Sequence, residues 1–189
     1  MPRETFTLAQ RPELEGQVRR LAPEVLPEFM LHDAVANRYW EKLYSDFPEF
    51  QIAVCEGERV VAAGHTIPVS WGTEDLPDTG FDAALEQGVR ELEAERSPAV
   101  LCALLAIVDA KHQGRGLSRV ILEAMRSLAS ERGLRALIAP VRPTLKSSYP
   151  LTSMERYIEW RRNDGLFFDP WMRVHQRLGA KVLKVAPGQ

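Results

Sequence analysis

The residues best suited to chemistry lie in the stretch IVDAKHQGRGLSRVILEAM, residues 107–125, where Gly114 and Gly116 stand one residue apart between an apolar run and an amphipathic segment. A strand that ends in a glycine turn and restarts as a helix points several backbone N–H groups outward beside the positive end of the helix dipole. That arrangement binds phosphate. Lys111 and Arg115 add positive charge to it. A dinucleotide fingerprint needs a third glycine where Arg119 stands, and a Walker loop needs a closing Gly-Lys-Ser/Thr; the stretch has neither. The remaining spacing is Gln113, two residues, Gly116, one residue, Ser118.

The elements that must hold this turn follow from periodicity. The run AVLCALLAIV, residues 99–108, is apolar throughout; Pro98 before it, its length and the polar turn after it predict a central strand buried on both faces. After the glycines, Leu117, Val120, Ile121, Met125 and Leu128 form one stripe, which predicts an amphipathic helix ending at Gly133. LRALIAPV then gives another strand, completing a strand, loop, helix, strand unit over residues 99–142. Upstream, TFTLAQ reads as a short alternating strand. Two helical segments follow, Glu13 to about Leu21, punctuated by Pro23 and Pro27, and one from Asp33 with Val35, Tyr39, Leu43 and Tyr44 near helical spacing. FQIAVCEGERVVAAGHTIPVSW is a hairpin turning at Glu56 to Glu58 through Gly57. DLPDTG marks a loop, after which Asp82 is expected to cap a helix with Leu85, Val89 and Leu92 on its apolar face and acidic residues opposite.

The 189 residues fit one domain, with 45% apolar and 26% charged residues, an ordinary globular composition. The start MPRETFTLAQ lacks a basic stretch followed by an apolar run, and no uninterrupted apolar segment reaches membrane-spanning length, so a cytoplasmic protein without membrane contact is expected. Cys55 and Cys102 sit in apolar runs without metal-ligand spacing and read as reduced, buried core residues; no metal site is expected. The net charge is −2, yet residues 1–100 hold nine Lys/Arg and nineteen Asp/Glu, giving −10, and residues 101–189 hold fifteen and seven, giving +8. With a pI near 6.1 the basic half lacks the excess that nucleic acid demands; a small polyanionic ligand fits better.

The Gln113, Gly116, Ser118 spacing after an apolar strand resembles the cofactor motif of the GNAT N-acetyltransferase superfamily, whose pattern is Gln or Arg, two residues, Gly, one residue, Gly or Ala; Ser118 is a small departure. RVHQRLGAKVL, residues 173–183, resembles the family's helix reading roughly Leu-Tyr-Glu-Lys-Leu-Gly-Phe, with His175 where Tyr is common and Ala180 where Phe is common. The resemblance implies an α/β (α+β) fold with a mixed, mostly antiparallel central sheet flanked by helices, and acetyl-CoA as co-substrate. Gln113, Gly114, Arg115, Gly116, Leu117 and Ser118 would hold the pyrophosphate, and Ala106, Ile107 and Val108 would pair with the pantetheine arm.

The chemistry implied is attack of a neutral amine on a thioester carbonyl in a ternary complex. The oxyanion needs a donor, which a backbone N–H near Val108 would supply, as in the family. The leaving thiolate needs only modest protonation, for which His175 is the candidate acid. For the base, Asp109, His65 and a backbone-held water all stay open; His32 and His112 read as surface residues. Between the strand at 136–141 and the helix at Pro170 lies a segment, about 142–169, longer than the family's usual connection. In it Thr152 and Glu155 form a capping box for a helix carrying Met154, Tyr157 and Ile158 and closed by Gly165. Its cations and aromatics, Arg142, Lys146, Tyr149 and Arg161 among them with Trp160 and Arg162, would suit a small-molecule or peptide amine that also carries a carboxylate or phosphate. Two rival readings are an acyl-CoA-binding sensor or scaffold without turnover and a transferase for a longer acyl group. After the last helix there is room for one terminal strand where the family usually has two, so either a partner chain, as in a homodimer, completes the sheet or the domain is abbreviated.

Overall fold

The computed structural model describes residues 3–72 and 76–186. Five strands form one sheet in chain order: β1 (Arg3–Thr7), β2 (Gln51–Glu56), β3 (Arg59–Val69), β4 (Val100–Val108) and β5 (Leu137–Ile138). The first three junctions are antiparallel and β4 pairs with β5 in parallel, giving the expected mixed, mostly antiparallel sheet. Gly57, at φ 63°, closes the β2–β3 hairpin, which only a left-handed residue does this tightly. Helices flank the sheet: α1 (Glu15–Val25), α2 (Ala34–Ser45), α3 (Gly80–Glu93), α4 (Leu117–Glu131), α5 (Met154–Tyr157) and α6 (Pro170–Arg177).

Successive side chains of β3 point to opposite faces, and the two faces receive different helices. On one, a Cβ added to Gly64 would stand 2.8 Å from Ile121 Cγ2 of α4, so the missing side chain is what lets α4 seat Ile121 and Met125 against the strand. On the other, Ile67 packs into the notch of Gly88 in α3, while His65 lies under α2, its ring 4.9 Å from Trp40 and 5.7 Å from Tyr44. His65 is 1% exposed and contacts Gln51 Oε1 through Nδ1 at 3.2 Å; burial lowers its pKa to about 4. Cys55 and Cys102 are buried and free, and burial pushes the Cys102 thiol up to about 12.

Several local expectations change. α1 runs through Pro23, because in the last turn the proline forfeits a single bond to the Arg19 carbonyl. Thr79, not Asp82, is the N-cap of α3; Asp82 sits in its first turn, where it favours the helix dipole, and Leu92 is 45% exposed. The expected strand over 134–141 contracts to Leu137–Ile138. The loop expected over DLPDTG is seen from Leu76 onward, Asp75 lying outside the described residues. Among the described residues no strand follows α6. Instead Lys184 Nζ ties the segment to Leu76 O at 2.8 Å and Asp78 Oδ1 at 2.5 Å, while Pro187–Gln189 lie outside the described residues.

The segment between β5 and α6 has its own small core. Tyr149, Tyr157, Trp160 and Phe168 meet with ring centroids 4.9–6.3 Å apart. Asp169, 1% exposed, organises its base. One oxygen accepts from Trp171 N (2.9 Å) and Met172 N (3.2 Å), capping α6, and the other from Leu145 N (2.8 Å) and Tyr157 Oη (3.0 Å). Ser153, rather than a Thr152 and Glu155 capping box, caps the single turn of α5, since its oxygen accepts from Arg156 N. Gly165 (φ 78°) belongs to a separate turn closed by the Arg161–Phe167 bridge.

Two measurements test this packing. Gly88→Ala drives a methyl into the fully buried Ile67 and to 3.2 Å from the Pro68 carbonyl, so urea unfolding should show a loss of about 1–3 kcal/mol; an unchanged midpoint would mean that α3 sits farther out. For His65, the folded pKa lies below the unfolded one, so the unfolded chain binds the extra proton between pH 6.5 and about 4. Stability present above pH 6.5 is therefore lost as pH falls through that window, by about 3 kcal/mol from this residue. Urea midpoints of His65→Leu followed across the same pH range should decline less steeply than wild type, and parallel declines would refute the assignment.

Candidate active site

β4 is held along its whole length on one edge only. It pairs with β3 over its length, from Val69↔Val100 to Ala62↔Val108, with a register shift at His65/Thr66 that leaves Leu104 as the extra residue. On its other edge β5 matches just Leu101 and Cys102, and the two strands then part. Asp109 N donates to Val61 O at 3.0 Å, and strand alternation from that bond turns the amides of Val108 and Ala106 away from β3, toward the open side. The residues read from the motif as pairing with a pantetheine arm, Ala106, Ile107 and Val108, thus lie on the strand's unpaired stretch.

Asp109 then redirects the chain. Its carboxylate accepts from Lys111 N (2.8 Å) at the tight turn Ala110–His112, lies 3.1 Å from His112 Nδ1, and accepts from Arg59 Nη2 (2.9 Å) at the start of β3. The His112 contact, then the Lys111 and Arg59 bonds, hold the Asp109 carboxyl below its ordinary range against the opposing effect of burial. A carboxylate so engaged is a weak base and a firm strut. His112, read as a surface residue, is largely buried against it, its side chain 15% exposed, whereas His32 is exposed as expected.

Beyond Gln113 the backbone takes left-handed conformations at Gly114 (φ 74°) and Gly116 (φ 78°), the latter serving as N-cap of α4. A Cβ at either would meet no protein atom within 4 Å, so these glycines are required by backbone angle and border open space. The amides of Leu117 and Ser118 open α4, where helical N–H groups have no intrahelical acceptor. Arg115, between the glycines, donates through Nη2 to both oxygens of Glu56, at 3.0 and 3.1 Å. The end of β4 therefore combines open strand amides, a left-handed loop and a helix N-terminus, a surface suited to an extended chain ending in phosphates.

His175 lies on the side of α6 that carries Trp171, Val174 and Leu178 against the core, its ring 4.6 Å from Trp171 at 78°. Its Nε2 is buried without a hydrogen-bond partner, and burial lowers its pKa to about 4, so it is neutral at pH 7. His65, the other histidine considered as base, is sealed beneath α2 and cannot reach a ligand from its observed position.

The residues read as an acceptor clamp are engaged mostly within the inserted segment. Arg161 lies over the Phe167 ring at 3.9 Å and donates Nη1 to Ile158 O (2.6 Å) and Trp160 O (3.0 Å), so it secures the inserted turn. Lys146 bonds the Tyr149 carbonyl at 3.2 Å, Tyr149 is packed among aromatics, and Arg142 is exposed. A cleft of about 380 Å³ opens beside Arg161, lined by apolar Ile158, Phe167 and Val182 and by Glu159, Gln176 and Lys181; Arg142, Lys146 and Tyr149 are not in its lining. Sequence reading missed Glu56, Asp169, Glu159 and Lys181, because nothing local marks a carboxylate or a lysine whose partners lie far along the chain.

Among the described residues no group of His, Cys, Asp and Glu could hold a metal ion, and no helix is long and apolar enough to cross a membrane. No protein-family model matches the chain. Over 178 residues, 85% of its length, it is 33% identical to the arginine N-acetyltransferase avaD of Aspergillus versicolor, and it spans 61% of that relative's length. Its fold is similar to the loading GNATL domain of CurA from Lyngbya majuscula (TM-score 0.66, 17% identity, covering 100% of this chain and 92% of that one). It is also similar to the GphF GNAT-like decarboxylase in complex with isobutyryl-CoA (TM-score 0.59, 15% identity, 94% and 85% covered). With the open β4 edge and the left-handed glycine loop at its end, the chain has the fold of these GNAT structures.

Proposed function

We propose that residues 1–189 act as one N-acetyltransferase domain, moving an acetyl group from acetyl-CoA to a primary amine of a small molecule or peptide in a ternary complex. The observation that carries this is the parting of β4 from β5 after Cys102, which leaves the rest of the strand open on that edge up to the turn that leads into the Gly114–Gly116 loop and the start of α4. Gln113 to Ser118 hold the pyrophosphate, Ala106 to Val108 pair with the pantetheine, and the Val108 amide faces the thioester oxygen, where charge develops during attack. His175 acts at the leaving sulfur. Neutral in the free protein, it gains proton affinity as thiolate charge develops beside it.

Asp109 stays in the proposal as a residue that fixes the end of β4 rather than as the base; a bound water or a pre-neutralised amine supplies that role. For the acceptor, the inserted segment contributes Arg142, Lys146, Tyr149 and Arg161, and the cleft beside it pairs a carboxylate, Glu159, with cations at Arg161 and Lys181. That mixed edge suits an amine bearing its own anionic group, and the relative named for arginine makes an amino acid the first acceptor to assay. A reading as acyl-CoA binder without turnover draws on the engagement of Asp109 and the sealing of His65. Release of free thiol from acetyl-CoA and from isobutyryl-CoA across an amine panel led by arginine separates the two: amine-dependent thiol supports the transferase, and binding with no thiol supports the binder.

Two variants sharpen this. Gly116→Asn tolerates the left-handed backbone but places a side chain in the open space before the helix, so affinity for acetyl-CoA should fall at least ~10-fold with the fold retained; calorimetry showing wild-type affinity would remove the cofactor site from this loop. His175→Ala should lower kcat by roughly 10- to 100-fold with acetyl-CoA affinity nearly unchanged, and His175→Tyr should recover much of it. Wild-type turnover in the alanine variant would make His175 a packing residue.

A further inference from the structure

The glycine loop is tied to the far edge of the sheet by an unbalanced ion cluster. Antiparallel register places Arg3, at the start of β1, directly across from Glu56, at the end of β2. Glu56 Oε1 accepts from Arg3 Nε at 3.1 Å and from Arg115 Nη2 at 3.0 Å, while its Oε2 accepts from the same Arg115 nitrogen at 3.1 Å. Arg3 also reaches the loop itself, donating Nη2 to the Arg115 carbonyl at 3.3 Å. One carboxylate, 13% exposed, thus serves two guanidiniums that are 31% and 45% exposed. The cluster keeps a net positive charge, and both arginines retain N–H groups that these contacts do not use.

A tie needed only for stability would be met by one arginine for one carboxylate. The surplus cation stands where a row of outward amides already favours anions. Arg115 leaves the backbone between the two glycines that border the ligand space, and Arg3 touches the loop from outside it. Coenzyme A carries, besides its pyrophosphate, a single phosphate monoester at the 3′ position of the same ribose. With the pyrophosphate on the loop amides, that monoester falls within a ribose's width of them, and the guanidiniums of Arg3 and Arg115 stand at that same loop. We infer that Arg3 and Arg115, bridged by Glu56, form a seat for the cofactor's 3′-phosphate, and that Glu56 holds the two cations apart from solvent anions and sets the seat's strength. This rests on the reading of the glycine loop as the pyrophosphate site.

The test compares CoA with 3′-dephospho-CoA by calorimetry at one fixed, low ionic strength, in wild type, Arg3→Gln and Glu56→Gln. Expressed as the ratio of the two affinities, general disturbance of the loop cancels. Wild type should favour CoA about 10-fold, as a charge-assisted pair of hydrogen bonds does. Arg3→Gln should bring the ratio down to about threefold or less. Glu56→Gln should widen it beyond wild type, since removing the carboxylate leaves both guanidiniums uncompensated, whereas a merely structural bridge would leave the ratio alone. Equal affinities in wild type, one ratio shared by all three proteins, or a narrower ratio in Glu56→Gln would each overturn the seat while leaving the loop's pyrophosphate role intact. Failure of wild type to bind either nucleotide would overturn both.

Discussion

Everything functional here depends on a backbone strand that is satisfied along one edge and left open along the other. Buried N–H and C=O groups need partners, so a central strand with a free stretch is stable only if solvent or a ligand completes it. β4 meets this condition by keeping eight register partners on β3 and just two on β5. The shift at His65/Thr66 reverses which amides face outward at the point where β5 departs. The open stretch ends at Asp109, whose turn carries the chain into the glycine loop at the start of α4.

The packing around β4 serves to hold that geometry. Both faces of β3, the strand that anchors it, are pressed closely by helices, and in each case a missing side chain sets the approach, Gly64 beneath α4 and Gly88 beneath the other face. The buried polar groups are held by partners that lock elements together. Glu91 in α3 accepts from Ser70 N at 2.7 Å and Gln87 Nε2 at 2.6 Å, which fixes the end of β3. Gln51 donates to Phe47 O and Thr66 O while its oxygen meets His65. Asp109 does the same service at the other end of β4, and Asp169 joins the inserted segment to α6. Removing one partner of such a group leaves the other buried and unsatisfied, which makes these contacts costly to alter.

The charge asymmetry along the chain acquires a spatial meaning. The acidic first half and basic second half do not form two opposed surfaces. At the glycine-loop end of the sheet they interleave, with Glu56 of the first half bonded to Arg115 of the second, and Arg59 of the first bonded to Asp109 of the second. Local neutralisation of this kind fixes loops, and it leaves a modest surplus of positive charge beside the glycine turn.

What the sequence determined by itself was whatever depends on neighbours along the chain: the left-handed requirement at Gly114 and Gly116, the apolar run that became β4, the stripe on α4, the hairpin at Gly57 and the helix after Asp169. Backbone angle and side-chain periodicity are local properties, and a few residues suffice to display them. Burial and partnership are not. Tyr149 and Arg161 read from the sequence only as an aromatic and a cation in a polar stretch; the packing of Tyr149 in a four-ring core and the bonding of Arg161 to carbonyls of its own turn were visible only in the fold. His112 read as exposed and lies against Asp109. Glu56 read only as the start of a hairpin turn, although its partner Arg115 stands fifty-nine residues away between the two loop glycines. Which carboxylate meets which guanidinium, and how far one strand follows another before parting, were decided only when the chain folded, because those energies belong to contacts between residues that the sequence keeps far apart.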